Sequence, residues 1–185
     1  MKQALSSHLA LFATLGDMEA GVNQAGKFCA DAIRSGRKIM FAGNGGSAAD
    51  AQHLAAELVG RLVKDRRALA GLALSTDSSA LTCIGNDYGF DEVFARQVEG
   101  LGQAGDVLVA ISTSGNSGNV IKAVESARVA DVRTIGFLGR DGGKLKALVD
   151  LSLVVEHAET ARIQEAHIFI GHVLCQLIER ELGLA

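Results

Sequence analysis

Five short runs dominated by apolar residues, Lys38–Ala42, Leu72–Leu74, Val107–Ile111, Thr134–Leu138 and Leu151–Val155, are separated by segments with helical periodicity. A strand that is apolar at nearly every position, not every second one, must be covered on both faces. Strands alternating with helices form βαβ units with right-handed crossovers. The chain is therefore expected to be α/β: a doubly wound, five-stranded parallel sheet of flavodoxin-like type flanked by helices. Residues 2–35 add a helical pattern, with Leu5, Leu9 and Phe12 on one stripe and a break near Gly16-Asp17, and a long helix is expected from Ala161 to Leu182. No linker, composition break or repeat divides the sequence, so residues 1–185 read as one domain. Its first 35 residues are a helical segment packing on that domain or on a neighbouring subunit.

Charge and composition remove several classes of function. Eighteen Lys and Arg against 21 Asp and Glu leave a net charge of −3, which argues against a nucleic-acid partner. No window approaches the roughly 18 apolar residues of a membrane span, so no membrane partner is expected, and Ser6, Ser7 and His8 interrupt anything resembling a signal peptide. Cys29, Cys83 and Cys175 are odd in number and each has apolar sequence neighbours. They read as reduced core residues of a cytoplasmic protein. Proline is absent, so glycine must make the turns.

In a doubly wound sheet, ligands sit outside the carboxyl ends of the strands. The loop Gly43-Asn44-Gly45-Gly46-Ser47 follows the first strand and opens a helix expected from Ala48 to about Leu62. Its N–H groups, unobstructed by side chains at the positive end of a helix dipole, suit an anion. Ser47 is expected to cap that helix, with Asp50 completing a weak capping box. Gly43-x-Gly45-x-x-Ala48 also satisfies a dinucleotide fingerprint, with Asp77 as the acid for a ribose, whereas a P-loop pattern is missing. The loop Ser112-Thr113-Ser114-Gly115-Asn116-Ser117 separates these readings. Its four hydroxyls crowd the start of another helix and can hold a phosphate dianion without lysine or arginine. A dehydrogenase has no evident need for such a site.

His53 and Glu57 lie four residues apart on one helix, about 40° around it and within mutual reach. Gln164 and His172 are eight apart on the last helix, hence ~12 Å along its axis. Both pairs can face one cleft. His8, His157 and His167 have no comparable company and read as structural or solvated.

Asn44-Gly45-Gly46-Ser47, Ser112-Thr113-Ser114-Gly115-Asn116-Ser117 and Arg162-Ile163-Gln164-Glu165 resemble the sugar isomerase (SIS) domain family. The resemblance implies aldose–ketose isomerisation of sedoheptulose 7-phosphate to D-glycero-D-manno-heptose 7-phosphate through an enediol, supplying heptose for lipopolysaccharide. It implies catalytic roles for Glu57 and His172, and substrate contacts from Asn44, Gly45, Gly46, Ser47, Asn86, Asp87, Ser112, Thr113, Ser114, Ser117 and Gln164. It further implies one zinc per subunit on His53, Glu57, Gln164 and His172, and a homotetramer with sites between subunits. The spacing of Gln164 and His172 lets them share one ion only if the helix bends or the two come from different chains. A non-catalytic relative, an adaptor for the bacterial replication initiator, lacks the glutamate found here at Glu57, so the isomerase is expected.

Overall fold

The computed structural model describes residues 1–185. Helix α1 (Lys2–Phe12) leads through a 3-10 turn to α2 (Glu19–Arg34), and then come β1 (Ile39–Gly43), α3 (Gly46–Val59), β2 (Gly71–Ala73) and α4 (Ser78–Asp87). There follow α5 (Ala95–Leu101), β3 (Val107–Ser112), α6 (Gly118–Val129), β4 (Arg133–Gly139), β5 (Leu151–Val155) and α7 (Thr160–Glu181). The five strands are all parallel, in the order β2-β1-β3-β4-β5. The direction of progression reverses at the β1/β3 junction, where α3 leaves to one face and α6 to the other.

The apolar runs are explained by this burial. Ile39 and Phe41 point into a core built with α2, α3 and α7, while Met40 and Ala42 point into a second core built with α5 and α6. Every residue of β1 and β3 is buried, and each large apolar side chain so enclosed is worth about 1.5–3 kcal/mol. The N-terminal segment packs on the last helix. His8 Nδ1 meets Glu165 Oε2 at 2.8 Å, and Arg162 Nη1 donates to the Ala4 carbonyl at 2.9 Å. No helix is long and apolar enough to cross a membrane.

Several local expectations are corrected. The second strand is Gly71–Ala73, not Leu72–Leu74, because the sheet pairing with β1 begins one residue earlier, at Ile39 opposite Gly71. Helix α3 starts at Gly46, not Ala48. Gly45, at φ +55°, is its N-cap, so the chain turns into the helix two residues sooner, and Ser47 lies buried in the first turn without capping it. The expected Ser47/Asp50 capping box does not form. Asp77 caps α4 by accepting from the Ala80 N–H at 2.9 Å, which accounts for it without a ribose. Cys29 and Cys175 are core residues, but Cys83 is exposed, because α4 buries none of its residues.

Candidate functional site

Two loops meet at the β1/β3 junction. After β1, Gly45 makes the left-handed turn, and Gly46 lies against the Gln164 carboxamide from α7, so closely that a side chain at 46 would collide with it. After β3, the Ser112 and Ser117 hydroxyls are 2.9 Å apart, and Ser114 Oγ accepts from the Asn116 N–H at 3.1 Å. Asn116 in turn accepts from the Lys144 N–H at 3.1 Å, and Leu145 N–H donates to the Gly115 carbonyl at 3.0 Å. The serine loop is thereby held by the segment after β4. The two loops are joined through Asn44 and Asn119, whose carboxamides exchange hydrogen bonds of 2.8 and 2.9 Å. Asn119 was not legible as a site residue, because its partner is 75 positions away.

The first turns of α3 and α6 thus open beside each other; within them the Ser47 and Ala48 N–H groups already donate to the Asn44 and Gly45 carbonyls at 3.0 Å, and paired helix N-termini of this kind are a setting in which anions are bound. The Asp91 carboxylate packs on Gly118 in the first turn of α6. Asn86 and Asp87 end α4 on the exposed surface, with Asn86 Nδ2 donating to Asp87 Oδ1 at 2.7 Å. Thr113 and Ser114 are half-buried.

Helices α3 and α7 lie side by side, and their contacts advance together. Gly46 meets Gln164, Leu54 meets Gly171, and His53 meets His172. His53 Nε2 is 2.9 Å from His172 Nε2 and 3.3 Å from Glu57 Oε1. The ligand atoms of His53, Glu57 and His172 all lie within 4.8 Å of one another. Gln164 stays with Gly46, two turns or ~12 Å along α7 from His172. One chain therefore brings three of the four expected metal ligands together and leaves Gln164 beside the loop that opens α3.

Neighbouring groups sense this cluster. Asp50, one turn before His53, has a buried Oδ2 with no hydrogen-bond partner. Burial pushes its pKa up to about 6, against the lowering pull of His53. Burial raises the Cys175 thiol to about 12, with help from the charges of Glu57 and Glu179. His167 is a core residue. Its Nε2 is 3.1 Å from the Leu138 carbonyl, so that nitrogen carries the proton and Nδ1 is left bare. Burial lowers its pKa to about 4. His157 contacts Ser7 Oγ at 3.2 Å, and His8, stacked on Phe12 within α1, meets Glu165 of α7 through Nδ1, so these histidines tie α1 to the rest of the chain.

The SIS domain family model matches residues 7–139. A phosphoheptose isomerase of a Nitratiruptor species is 62% identical over 151 residues, 82% of this chain and 81% of that protein. One of Aliarcobacter butzleri is 52% identical over 183 residues, 99% of this chain and 97% of that protein. The solved phosphoheptose isomerase of Neisseria gonorrhoeae superimposes with a TM-score of 0.92 at 47% identity, covering 97% of this chain and 96% of that one.

Proposed function

The chain belongs to the SIS domain family and, within it, to the phosphoheptose isomerases, and on that premise we propose how its own residues carry the reaction. It is an aldose–ketose isomerase converting sedoheptulose 7-phosphate to D-glycero-D-manno-heptose 7-phosphate. In the net reaction C1 goes from alcohol to aldehyde and C2 from ketone to alcohol, so the two electrons move within the substrate. One base and one acid suffice.

The Glu57 carboxylate removes a proton from C1, giving a cis-enediol, and delivers a proton to C2. The His172 imidazole passes a proton between the C1 and C2 oxygens, a role suited to a ring that carries both a donor and an acceptor nitrogen. Ser112, Thr113, Ser114 and Ser117, with Asn44, Gly45, Gly46 and Ser47 at the start of α3, grip the phosphate. Asn86, Asp87 and Gln164 contact the sugar. Binding at the phosphate end holds C1 and C2 against the base.

The two imidazole nitrogens and one carboxylate oxygen converging at 4.8 Å or less form a donor set suited to catalytic zinc. His53, Glu57 and His172 would hold one such ion per subunit, with Gln164 supplied by a second chain, and the ion would polarise the substrate carbonyl as a Lewis acid. Glu57 meets His53 through Oε1, leaving Oε2 for the proton.

The same reading makes residues 1–185 one SIS domain in a cytoplasmic homotetramer that feeds heptose to lipopolysaccharide. Support for assembly comes from α1 and α7, where Leu5, Leu9 and Phe169 are 54%, 60% and 45% exposed. Beside them runs an apolar groove of about 730 Å³ lined by Phe12, Val22, Val173 and Leu177. The initiator-binding adaptor is not favoured, since Glu57 is present and the relatives are isomerases.

The approach of Glu57 and His172 from two helices, beside loops shaped for an anion, carries this reading. Incubating the protein with sedoheptulose 7-phosphate in deuterium oxide tests it. Aldose product carrying deuterium at C2 is expected. Absence of aldose would end the reading, and turnover with no label would mean that the C1 hydrogen reaches C2 without exchange with solvent, either held on the Glu57 carboxylate or moved as hydride; loss of turnover in Glu57→Gln assigns it to the carboxylate.

A further inference from the structure

Glu57 sits in the last turn of α3, which ends at Val59. The terminal carbonyls of a helix have no partners within it. The Glu57 carbonyl accepts from no backbone N–H. Its partner is Arg66, a residue of the connection to β2, whose Nη2 donates to it at 2.7 Å. Arg66 Nη1 donates to the carbonyls of Leu58 and Gly60, both at 2.8 Å. A single guanidinium thus closes the end of α3 where no glycine-based C-cap motif does.

The remaining edge of the guanidinium faces α7. Arg66 Nε donates to Glu179 Oε1 at 2.8 Å, and the two side chains are only 2% and 4% exposed. Glu179 lies seven residues, or about two turns, beyond His172 on the same helix. A guanidinium can serve several carbonyls and a carboxylate at once because its five donors are held in a rigid plane, an arrangement an ammonium lacks.

We propose that Arg66 and Glu179 are positioning residues for the isomerase. They clamp the terminal turn of α3 onto α7 and so fix the Glu57 carboxylate against His172. The proposal rests on the reading of Glu57 as the base. Neither residue touches the sugar, and the anion loops lie at the opposite end of α3, so the effect should fall on turnover and not on phosphosugar affinity.

Three variants and a control test the clamp. Arg66→Lys keeps the charge opposite Glu179 but loses the fork, and Glu179→Gln loses the anchor on α7. The double variant Arg66→Met/Glu179→Leu replaces the pair with apolar side chains, an exchange that buried ion pairs often tolerate without unfolding. Val124→Ala, in the core on the α6 face, lowers stability without reaching α3 or α7. Steady-state kinetics with sedoheptulose 7-phosphate are run well below each melting temperature. The folded clamp variants are expected to lose about tenfold or more in kcat, as misplacement of a reacting group does, with KM within about twofold of wild type. Val124→Ala should keep its kcat. Wild-type kcat in any folded clamp variant overturns the proposal, as does an equal kcat loss in Val124→Ala. An inactive wild type overturns the isomerase reading itself, and the clamp with it.

Discussion

Leu54 fills the space that Gly171 leaves open. A Cβ at position 171 would stand 2.6 Å from both Leu54 methyl carbons, and Leu54 is completely buried. This contact sets the separation of α3 and α7, and with it the 2.9 Å approach of His53 and His172, the neighbours of Leu54 and Gly171 in sequence. Gly171→Ala is expected to cost about 1–3 kcal/mol through overpacking and to lower kcat by spreading the cluster. Thermal melts and kinetics on the same sample check it; a variant of full activity and unchanged Tm would show that the helices have slack.

Glu57→Gln removes the proposed base while preserving shape. Turnover should fall by about 10²–10⁴-fold while the variant still binds the sugar phosphate, as measured by calorimetry. A variant that retains most of its kcat would relieve Glu57 of the role.

Ser114→Ala removes one hydroxyl from the anion loop. A hydrogen bond to a charged group is worth about 1.5–3 kcal/mol, so affinity for sedoheptulose 7-phosphate should drop about tenfold or more. Because Ser114 Oγ also accepts from the Asn116 N–H, part of the loss will reflect a looser loop. Unchanged affinity would move the anchor elsewhere.

His53→Ala takes one imidazole from the three-residue cluster. Zinc content measured after dialysis should fall relative to wild type while the fold, followed by circular dichroism, is retained. If wild-type protein exposed to zinc and then dialysed holds none, the cluster is not a zinc site.

The buried imidazole of His167 makes stability depend on pH. Its pKa falls from 6.5 to about 4 on folding, so below 6.5 the unfolded chain takes up a proton that the folded chain refuses. Its stabilising effect is complete above 6.5 and is lost as pH falls toward 4, a difference of roughly 3 kcal/mol at about 1.4 kcal/mol per unit. Asp50, raised to about 6, acts in the opposite sense, its contribution fading as pH rises. The His167 share is therefore the difference between wild-type and His167→Gln urea-unfolding profiles, the glutamine keeping a donor for Leu138. Parallel profiles between pH 4 and 6.5 would show that His167 titrates normally.

Local signals located most of the fold. Leu151–Val155 is the fifth strand, residue for residue, and the break near Gly16-Asp17 is the 3-10 turn between α1 and α2. The errors are equally instructive. Ser47 has the composition of a cap, yet the cap is Gly45, because backbone conformation at the turn chose the helix start. Cys83 has apolar sequence neighbours and is exposed, because burial depends on what packs against α4 and not on what flanks the cysteine in the chain. Of the candidate site, His53 with Glu57 was readable from a four-residue spacing. Asn119, Arg66 and Glu179 were not, since each acquires its role from a partner distant in the chain.

The order of apolar runs and helical segments determined a parallel sheet, because strands buried on both faces leave few other ways to cover them. Glycine and hydroxyl residues placed directly after two of those strands determined that two donor-rich loops would stand at their carboxyl ends, the loops to which the proposed function gives the phosphate. Tertiary structure alone decided that His53 and His172 touch, that Gln164 does not join them within one chain, and that an arginine closes the helix carrying Glu57. Spacing along a helix specifies angle and rise, but the register and separation of two helices follow from side-chain packing such as that of Leu54 on Gly171.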